Sequence, residues 1–361
     1  MTIIDSAQSS SSFSFPADSE IRRILSERIE SHKQGVGIVV GIVGVEGRHI
    51  VAHGHFSTDD RRFVDSDTIF EIGSVTKIFT ALLLADMIQR DEVKLTDPVA
   101  QYLPEKVVVP QRDGKVITLV DLATHTSGLP RMSDNFAPAN PDNPYADYSV
   151  EQLYQFLSGH QLTRDIGAQW EYSNLGYGLL GHVLARRAGT DYETLVRERI
   201  CAPLGMESTV ITLSSEMNAR LATGHNAALE AFPNWDLPTL AGAGALRSTA
   251  NDLLTFLETA LGIRETPLAS AFTAMHVSRR STGISDNEIG IGWGIMKSGG
   301  NELIWHNGGT GGYCSFIGFL PKMNVGVVAL SNASTDVGVD DIAQHLFNPE
   351  MPLAFPSISI Q

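Results

Sequence analysis

Ser74 and Lys77 stand three residues apart in Glu71-Ile72-Gly73-Ser74-Val75-Thr76-Lys77, at the head of the apolar run IFTALLLADMIQR. On a helix that spacing places the two side chains on one face, about one turn apart. A serine at a helix N-terminus meets free N–H groups and the positive end of the dipole, which favour negative charge developing on a substrate. A lysine partly desolvated by the apolar run has a lowered pKa, and a neutral amine can accept the serine proton. Among the lysines of the chain, only Lys77 has a serine at the third position before it. The same four residues also suit a helix that begins with Ser and carries a surface Lys. Nucleophilic chemistry needs more: N–H donors for an oxyanion, a proton for the leaving group and an activated water.

Two further motifs can supply these. Trp170-Glu171-Tyr172-Ser173-Asn174-Leu175-Gly176 carries a Y-x-N just before a helical stretch. A Tyr172 hydroxyl near Lys77 can relay a proton to the leaving group, and the Asn174 amide can bind a substrate carbonyl or hold Lys77. Trp305-His306-Asn307-Gly308-Gly309-Thr310-Gly311-Gly312-Tyr313 reads as a glycine-rich strand end. Its glycines let a substrate lie along the strand edge, and a backbone N–H near Gly309 can complete an oxyanion hole with that of Ser74.

The elements that must position these groups follow from patterning. GVGIVVGIVGVEGRHIVAHGHFS predicts two strands joined at Glu46-Gly47, and IGIGWGIM, ELIWH, YCSFIGFLP and VGVVALSN predict four more near the other end. A helix is expected over roughly residues 18–33 and another in VGVDDIAQHLF. Helical patterns between the two groups of strands cover Leu119–Thr124, Val150–Leu157, Gly176–Ala188, Tyr192–Ile200 and Ala250–Leu261. MSDNFAPANPDNPYADYS is dense in Pro, Asn and Asp and reads as a long surface loop, a common wall for an active site. The expected fold is α+β, an antiparallel sheet made from both chain ends and flanked by helices, with a helical insertion. Residues 1–15 are expected to form a disordered arm, 16–73 and 280–350 the sheet region, and 74–279 the mostly helical region, with the active site at their junction.

Bulk properties exclude several functions. The 361 residues are 43% hydrophobic and 19% charged, enough for a sizeable core. A net charge of −15 without a basic stripe argues against nucleic acid as a partner. No run is long and apolar enough to span a membrane. The N-terminal stretch has no basic start and no continuous apolar segment, so it does not read as a secretory signal. A cytoplasmic location is the expectation, and a periplasmic or secreted one if the chain has been trimmed. Cys201 and Cys314 are far apart, sit in apolar surroundings and read as reduced packing residues rather than a disulfide. His53-Gly54-His55 can place two imidazoles on one strand face, but no further ligands lie at a motif-like distance, so no metal is expected. No cofactor is expected either. GGTGG lacks the lysine and helix of a phosphate-binding loop, and no G-x-S-x-G elbow of an α/β-hydrolase exists. His125 and Glu71 read as structural, and Trp293 and Trp305 as core or pocket walls.

Taken together, FEIGSVTKIFTALLLADMI, LVDLATHTSGLP, WEYSNLGYGLLGHVL, CAPLGMEST, GAGALRSTANDLLTFL and WHNGGTGGY resemble the serine β-lactamase and penicillin-binding superfamily. The resemblance runs from about residue 20 to 345. It is to the branch of class C β-lactamases, D-Ala-D-Ala carboxypeptidases, D-aminopeptidases and β-lactamase-fold (family VIII) esterases. It implies a serine hydrolase working through an acyl-enzyme. Ser74 is then the nucleophile, Lys77 the general base and Tyr172 the proton shuttle, with an ionised Tyr172 as the competing base. His306 supports the relay, Asn174 orients the acyl chain, and Gly308 and Gly309 line the substrate. A class A arrangement would instead use Ser133-Asp134-Asn135 and Lys297-Ser298-Gly299. Ser133 falls within the Pro/Asn loop and Lys297 in a turn between strands, so Tyr172-Ser173-Asn174 is preferred. Class C enzymes carry a lysine where this chain has His306; a largely neutral histidine attracts a substrate carboxylate less. The expected substrates are small esters or amides, with D-amino-acid derivatives as candidates. A true β-lactamase or D-Ala-D-Ala carboxypeptidase is the alternative, and a non-catalytic acyl-ligand-binding or scaffold relative is the alternative of another class. The oligomeric state is not legible.

Overall fold

A computed structural model of the chain describes residues 13–298 and 300–354. Its centre is one eight-stranded sheet in the order Gly47–Gly54, Gly37–Gly44, Val325–Ser331, Cys314–Leu320, Asn301–Gly309, Gly294–Ser298, Asn287–Ile289 and Arg280–Ser281, every neighbour antiparallel. The expected sheet from both chain ends is therefore present. The first strand pairs with the last, Ile38 opposite Ser331 and Val43 opposite Gly326. Sequence patterning missed the two short edge strands beyond Gly294. With two or three residues each, they are too brief for alternation to register.

Helices cover both sheet faces, and this explains why strands such as GIVVGIVG are apolar without interruption. Val39, Val43, Ile317, Phe319, Val328 and Leu330 face the large core shared with the helices Thr76–Gln89, Asn174–Ala188 and Ala250–Ala260. Their neighbours Ile38, Val40, Ile42, Phe316, Val327 and Ala329 face the other side, against Asp18–Ser26 and Asp340–Phe347. Gly41 sits where the helix Ala250–Ala260 crosses closest; a Cβ there would lie 2.9 Å from Leu254 Cδ1.

The first helix stops being α-helical at Ser26 and widens into a π turn, Glu27–Ser31. Tyr192–Ile200 is likewise α-helical only over Tyr192–Val196, followed by a π turn, Arg197–Cys201. Short helices at Ser215–Ala219, Ala241–Gly244 and Ala269–Met275 were not anticipated. Of the arm expected over 1–15, residues 1–12 lie outside the described residues, while Phe13 and Phe15 pack against the smaller core. No helix among the described residues is long and apolar enough to cross a membrane.

Candidate active site

Three segments remote in sequence converge at one end of the sheet. The first is the turn Gly73–Val75, a single 3₁₀ turn that runs directly into the helix Thr76–Gln89. The helix is buried almost throughout, so the Lys77 side chain has no solvent to reach. Its Nζ lies 3.0 Å from Ser74 Oγ, 2.9 Å from Asn174 Oδ1 and 2.7 Å from the Ala243 carbonyl oxygen. Burial, and secondarily the Arg131 charge, hold its pKa well below the usual lysine value. A neutral amine has two N–H donors and one lone pair. The Asn174 and Ala243 oxygens can only accept, so in the neutral amine that burial favours they take the two donors and the lone pair is left for the Ser74 hydroxyl proton. In the ammonium form the third N–H would point to Ser74 Oγ instead.

The second segment is the start of the helix Asn174–Ala188. Ser173 caps it, its Oγ accepting from Gly176 N at 2.8 Å and donating to the Pro130 carbonyl at 2.6 Å. The helix therefore begins two residues before the expected Gly176, which puts Asn174 in its first turn facing Lys77. Tyr172 precedes the cap and stacks on His125, ring centroids 4.6 Å apart, with Lys77 Nζ 4.8 Å from the Tyr172 ring centroid. Its hydroxyl lies beside Ser74, an interaction that lowers its pKa, but burial outweighs this and pushes the phenol up to about 12. Tyr172 is therefore protonated at neutral pH, which disfavours the ionised-tyrosine base in the free protein.

The third segment is the end of the strand Asn301–Gly309. Pairing with Gly294–Ser298 stops at Trp305 opposite Gly294, whereas pairing with Cys314–Leu320 runs on to Gly309 opposite Cys314. Residues 306–309 thus have a strand on one side only, and the Ser74 turn lies along the other. Ser315 Oγ donates to the Ile72 carbonyl at 2.8 Å and ties turn to sheet. A Cβ on Gly308 would lie 2.9 Å from Ser74 N, and one on Gly73 would lie 2.7 Å from Gly309 N. The two backbone amides expected to form an oxyanion hole are neighbours. His306 is buried, its Nδ1 2.6 Å from the Asn307 carbonyl oxygen, and its ring 6.4 Å from that of Tyr172. Desolvation and then Lys77 lower its pKa to about 3, so the imidazole is neutral with Nδ1–H donating to Asn307.

All seven candidate residues, Ser74, Lys77, Tyr172, Asn174, His306, Gly308 and Gly309, thus belong to this one neighbourhood. Ser74, Tyr172, Gly308 and Gly309 open on a cleft of about 480 Å³ also lined by Arg131, Asn307, Cys314, Asp336 and Asp340. The class A decoys lie elsewhere. Ser133 is buried and donates to Tyr148 Oη at 2.8 Å. Lys297 is on the strand Gly294–Ser298 rather than in a turn, opposite Glu302 and paired with Glu288 at 2.8 Å.

Other expectations sort as follows. His125 is structural: its Nδ1 accepts from Ser173 N at 3.0 Å, and its ring packs on Tyr172 and Tyr177. Glu71 is structural too, accepting from Arg247, Asn234 and Trp235 N. Trp293 is a core residue against Phe319, and Trp305 is half-buried against Phe316 on the smaller core. His53 pairs with Glu30, and no group of ligands suited to a metal exists among the described residues. Both cysteines are free; Cys201 is buried, and Cys314, at the end of its strand, is half-buried, packing on the smaller core and also lining the cleft.

Three contributors were missed. The Ala243 carbonyl reaches Lys77 because the helices crossing there are glycine-lined: a Cβ on Gly242 would lie 2.9 Å from Gly181 Cα. Tyr145, in the Pro/Asn loop, accepts from Asn174 Nδ2 at 3.3 Å and packs on Trp235. Arg131 stacks on Tyr172, its Cζ 5.2 Å from the ring centroid. The Pro/Asn composition announced the loop as a wall but not which of its side chains face in.

This sheet, with a serine–lysine pair beneath its open edge, defines a serine hydrolase of the penicillin-recognising kind. The chain belongs to the β-lactamase family: the Beta-lactamase family model matches residues 21–347. It is 30% identical to the D-alanyl-D-alanine-carboxypeptidase/endopeptidase AmpH of Escherichia coli over 81% of this chain and 79% of that protein. It is 25% identical to a beta-lactamase of Pseudomonas fluorescens over 87% of this chain and 94% of that one. Among solved structures, it resembles a beta-lactamase/D-alanine carboxypeptidase from Yersinia pestis, with TM-score 0.78, 26% identity, and 91% and 97% of the two chains covered. A class C beta-lactamase from Rhodobacter sphaeroides gives TM-score 0.75 at 26% identity, covering 87% and 94%.

Proposed function

We propose that the protein hydrolyses small esters or amides through an acyl-enzyme on Ser74, with Lys77 as general base. The observation that carries this reading is a fully buried Lys77 Nζ 3.0 Å from Ser74 Oγ, with two pure acceptors as its other partners, so that the neutral amine favoured by burial turns its lone pair toward Ser74. In acylation the Ser74 oxygen attacks the acyl carbon while its proton moves to Lys77. The oxyanion is met by the amides of Ser74 and Gly309. As the bond to the leaving group breaks, Tyr172 gives it the phenolic proton and is reprotonated from Lys77. A water then attacks the acyl carbon, its proton passing back through Tyr172 and Lys77 to the Ser74 oxygen as that bond breaks. Asn174 fixes Lys77 through Oδ1 and orients the acyl chain, and the neutral His306 supports Tyr172 without adding charge.

Peptidase or β-lactam hydrolysis is the second reading, favoured by the similarity to AmpH and to the Yersinia pestis protein. An inert acyl-ligand binder has no use for a desolvated amine beside a serine. Intact-mass detection of a Ser74 adduct tests these readings, with turnover followed on p-nitrophenyl esters, nitrocefin and a D-Ala-D-Ala peptide. Ester turnover with loss in Ser74→Ala is the expected result. Rapid nitrocefin or peptide turnover moves the assignment to the second reading, a stable adduct without turnover to a binder, and wild-type rates in Ser74→Ala refute the nucleophile.

A further inference from the structure

The charges lining the cleft are unevenly placed. Arg131 is the only cation among the described residues that line it, and it lies on the Tyr172 side. Asp336 and Asp340 also line it, and Asp340 accepts from Asn307 Nδ2. Lys77 and His306 lie behind the cleft and do not line it; burial drives the Lys77 pKa down and leaves His306 neutral.

Arg131 is also held in place. The Pro130 carbonyl accepts from Ser173 Oγ and the Arg131 carbonyl from Leu175 N at 3.1 Å, so its backbone is pinned to the segment that carries Tyr172 and Asn174. Its guanidinium stacks on the Tyr172 ring, yet the residue is exposed, and no carboxylate among the described residues pairs with it. A stacked guanidinium keeps its in-plane N–H donors free, and their fork matches a carboxylate. Arg164 is taken up by Glu171 and Arg48 by Glu258, whereas Arg131 has no acid partner among the described residues and, unlike the other arginines without one, lines the cleft.

We propose that Arg131 is a specificity-determining residue that binds a carboxylate carried by the leaving group. The inference rests on the reading that Ser74 is acylated and that Tyr172 protonates the leaving group. A side chain stacked on the proton donor is beside the departing atom, not the acyl chain. The bond broken is the acyl C–O or C–N bond; Tyr172 supplies the proton, and the product is a hydroxy or amino acid whose carboxylate is unchanged throughout. The carboxyls of Asp336 and Asp340 elsewhere on the lining leave Arg131 as the place for the same group. In this chain carboxylate recognition thereby moves from the strand, where His306 is uncharged, to the loop that follows His125.

Two esters of one acyl group test this: a 3-carboxyphenyl ester and its neutral 3-carbamoylphenyl counterpart, with kcat/KM corrected for their alkaline hydrolysis rates. The wild-type protein is expected to favour the carboxylate 10- to 100-fold, about the value of hydrogen bonds to a charged group. That ratio falls toward one in Arg131→Gln, is partly kept in Arg131→Lys, and shrinks as salt is raised. Arg131→Glu shifts preference to a 3-trimethylammoniophenyl ester. A purely structural stacking role would depress both esters together and leave the ratio unmoved, and that result overturns the proposal. So does a wild-type ratio near one with rapid Ser74 adduct formation on both esters. Absence of any Ser74 adduct overturns the nucleophile reading itself.

Discussion

Gly308→Ala should disable the reaction while leaving the protein folded, whereas Gly309→Ala, one residue on, should leave both activity and fold nearly intact. An alanine Cβ at 308 would lie 2.1 Å from the Ile72 carbonyl oxygen, 2.5 Å from Ser315 Oγ and 2.9 Å from Ser74 N. The first two atoms are hydrogen-bonded to each other, so neither yields easily. Because a Cβ contact under 3.0 Å is essentially never seen, the strand must move from the Ser74 turn by about 0.9 Å. Oxyanion donors act at about 2.7–3.1 Å, and a shift of that size removes one of the pair. The expected loss is about 10²–10³-fold in the acylation rate, or about 2.7–4 kcal/mol of transition-state stabilisation. Overpacking costs about 1–3 kcal/mol of stability, which a domain this size can absorb. At 309 a Cβ would meet nothing nearer than the Tyr313 carbonyl oxygen at 3.8 Å, so the loss should stay within about five-fold. Single-turnover acylation of a p-nitrophenyl ester read by intact mass, with thermal unfolding followed by circular dichroism, measures both effects. A folded Gly308→Ala protein acylating within about three-fold of wild type would refute the geometry.

Tyr172→Phe removes the leaving-group proton, so it should cost about 10²–10⁴-fold on an alkyl ester but far less on a p-nitrophenyl ester, whose leaving group departs without one. Equal losses in kcat/KM on the two would assign the phenol another role. His306 has a folded pKa near 3 against an ordinary value of 6.5, so below pH 6.5 the unfolded chain takes up a proton that the folded chain refuses. Stability therefore falls as the pH drops from 6.5 toward 3, by about 2.7 kcal/mol from this residue at pH 4.5. Urea unfolding at pH 7 and pH 4.5 should show His306→Gln losing about 2–3 kcal/mol less than wild type over that interval, and parallel losses would contradict a neutral buried imidazole.

Much of this site was legible because its groups lie close to one another within short motifs. Ser74 and Lys77 are one helical turn apart, Tyr172 and Asn174 flank a cap, and Gly308 and Gly309 end a strand. The large sheet was legible because its long strands are continuous apolar runs bounded by turns. What stayed hidden depends on contacts between remote segments. Ala243 acts through a backbone oxygen and so leaves no trace in residue type. Arg131 looked like any loop arginine until Tyr172 was seen beneath it, and Tyr145 was one aromatic among many in the Pro/Asn loop. The charge states of Lys77 and His306 were expected only as tendencies, since full burial is set by helices that pack over them from elsewhere.

The strand edge at residues 306–309 has one further consequence. An unpaired edge invites pairing with any extended chain, and proteins usually blunt such edges with charge, proline or a bulge. This one carries none of these in His306-Asn307-Gly308-Gly309 and is instead flanked by the Ser74 turn, which packs on Gly308. A turn laid along the edge leaves room for a short extended occupant and little for another protein's strand. The cover that guards against edge-to-edge association therefore also limits how much extended chain can reach Ser74.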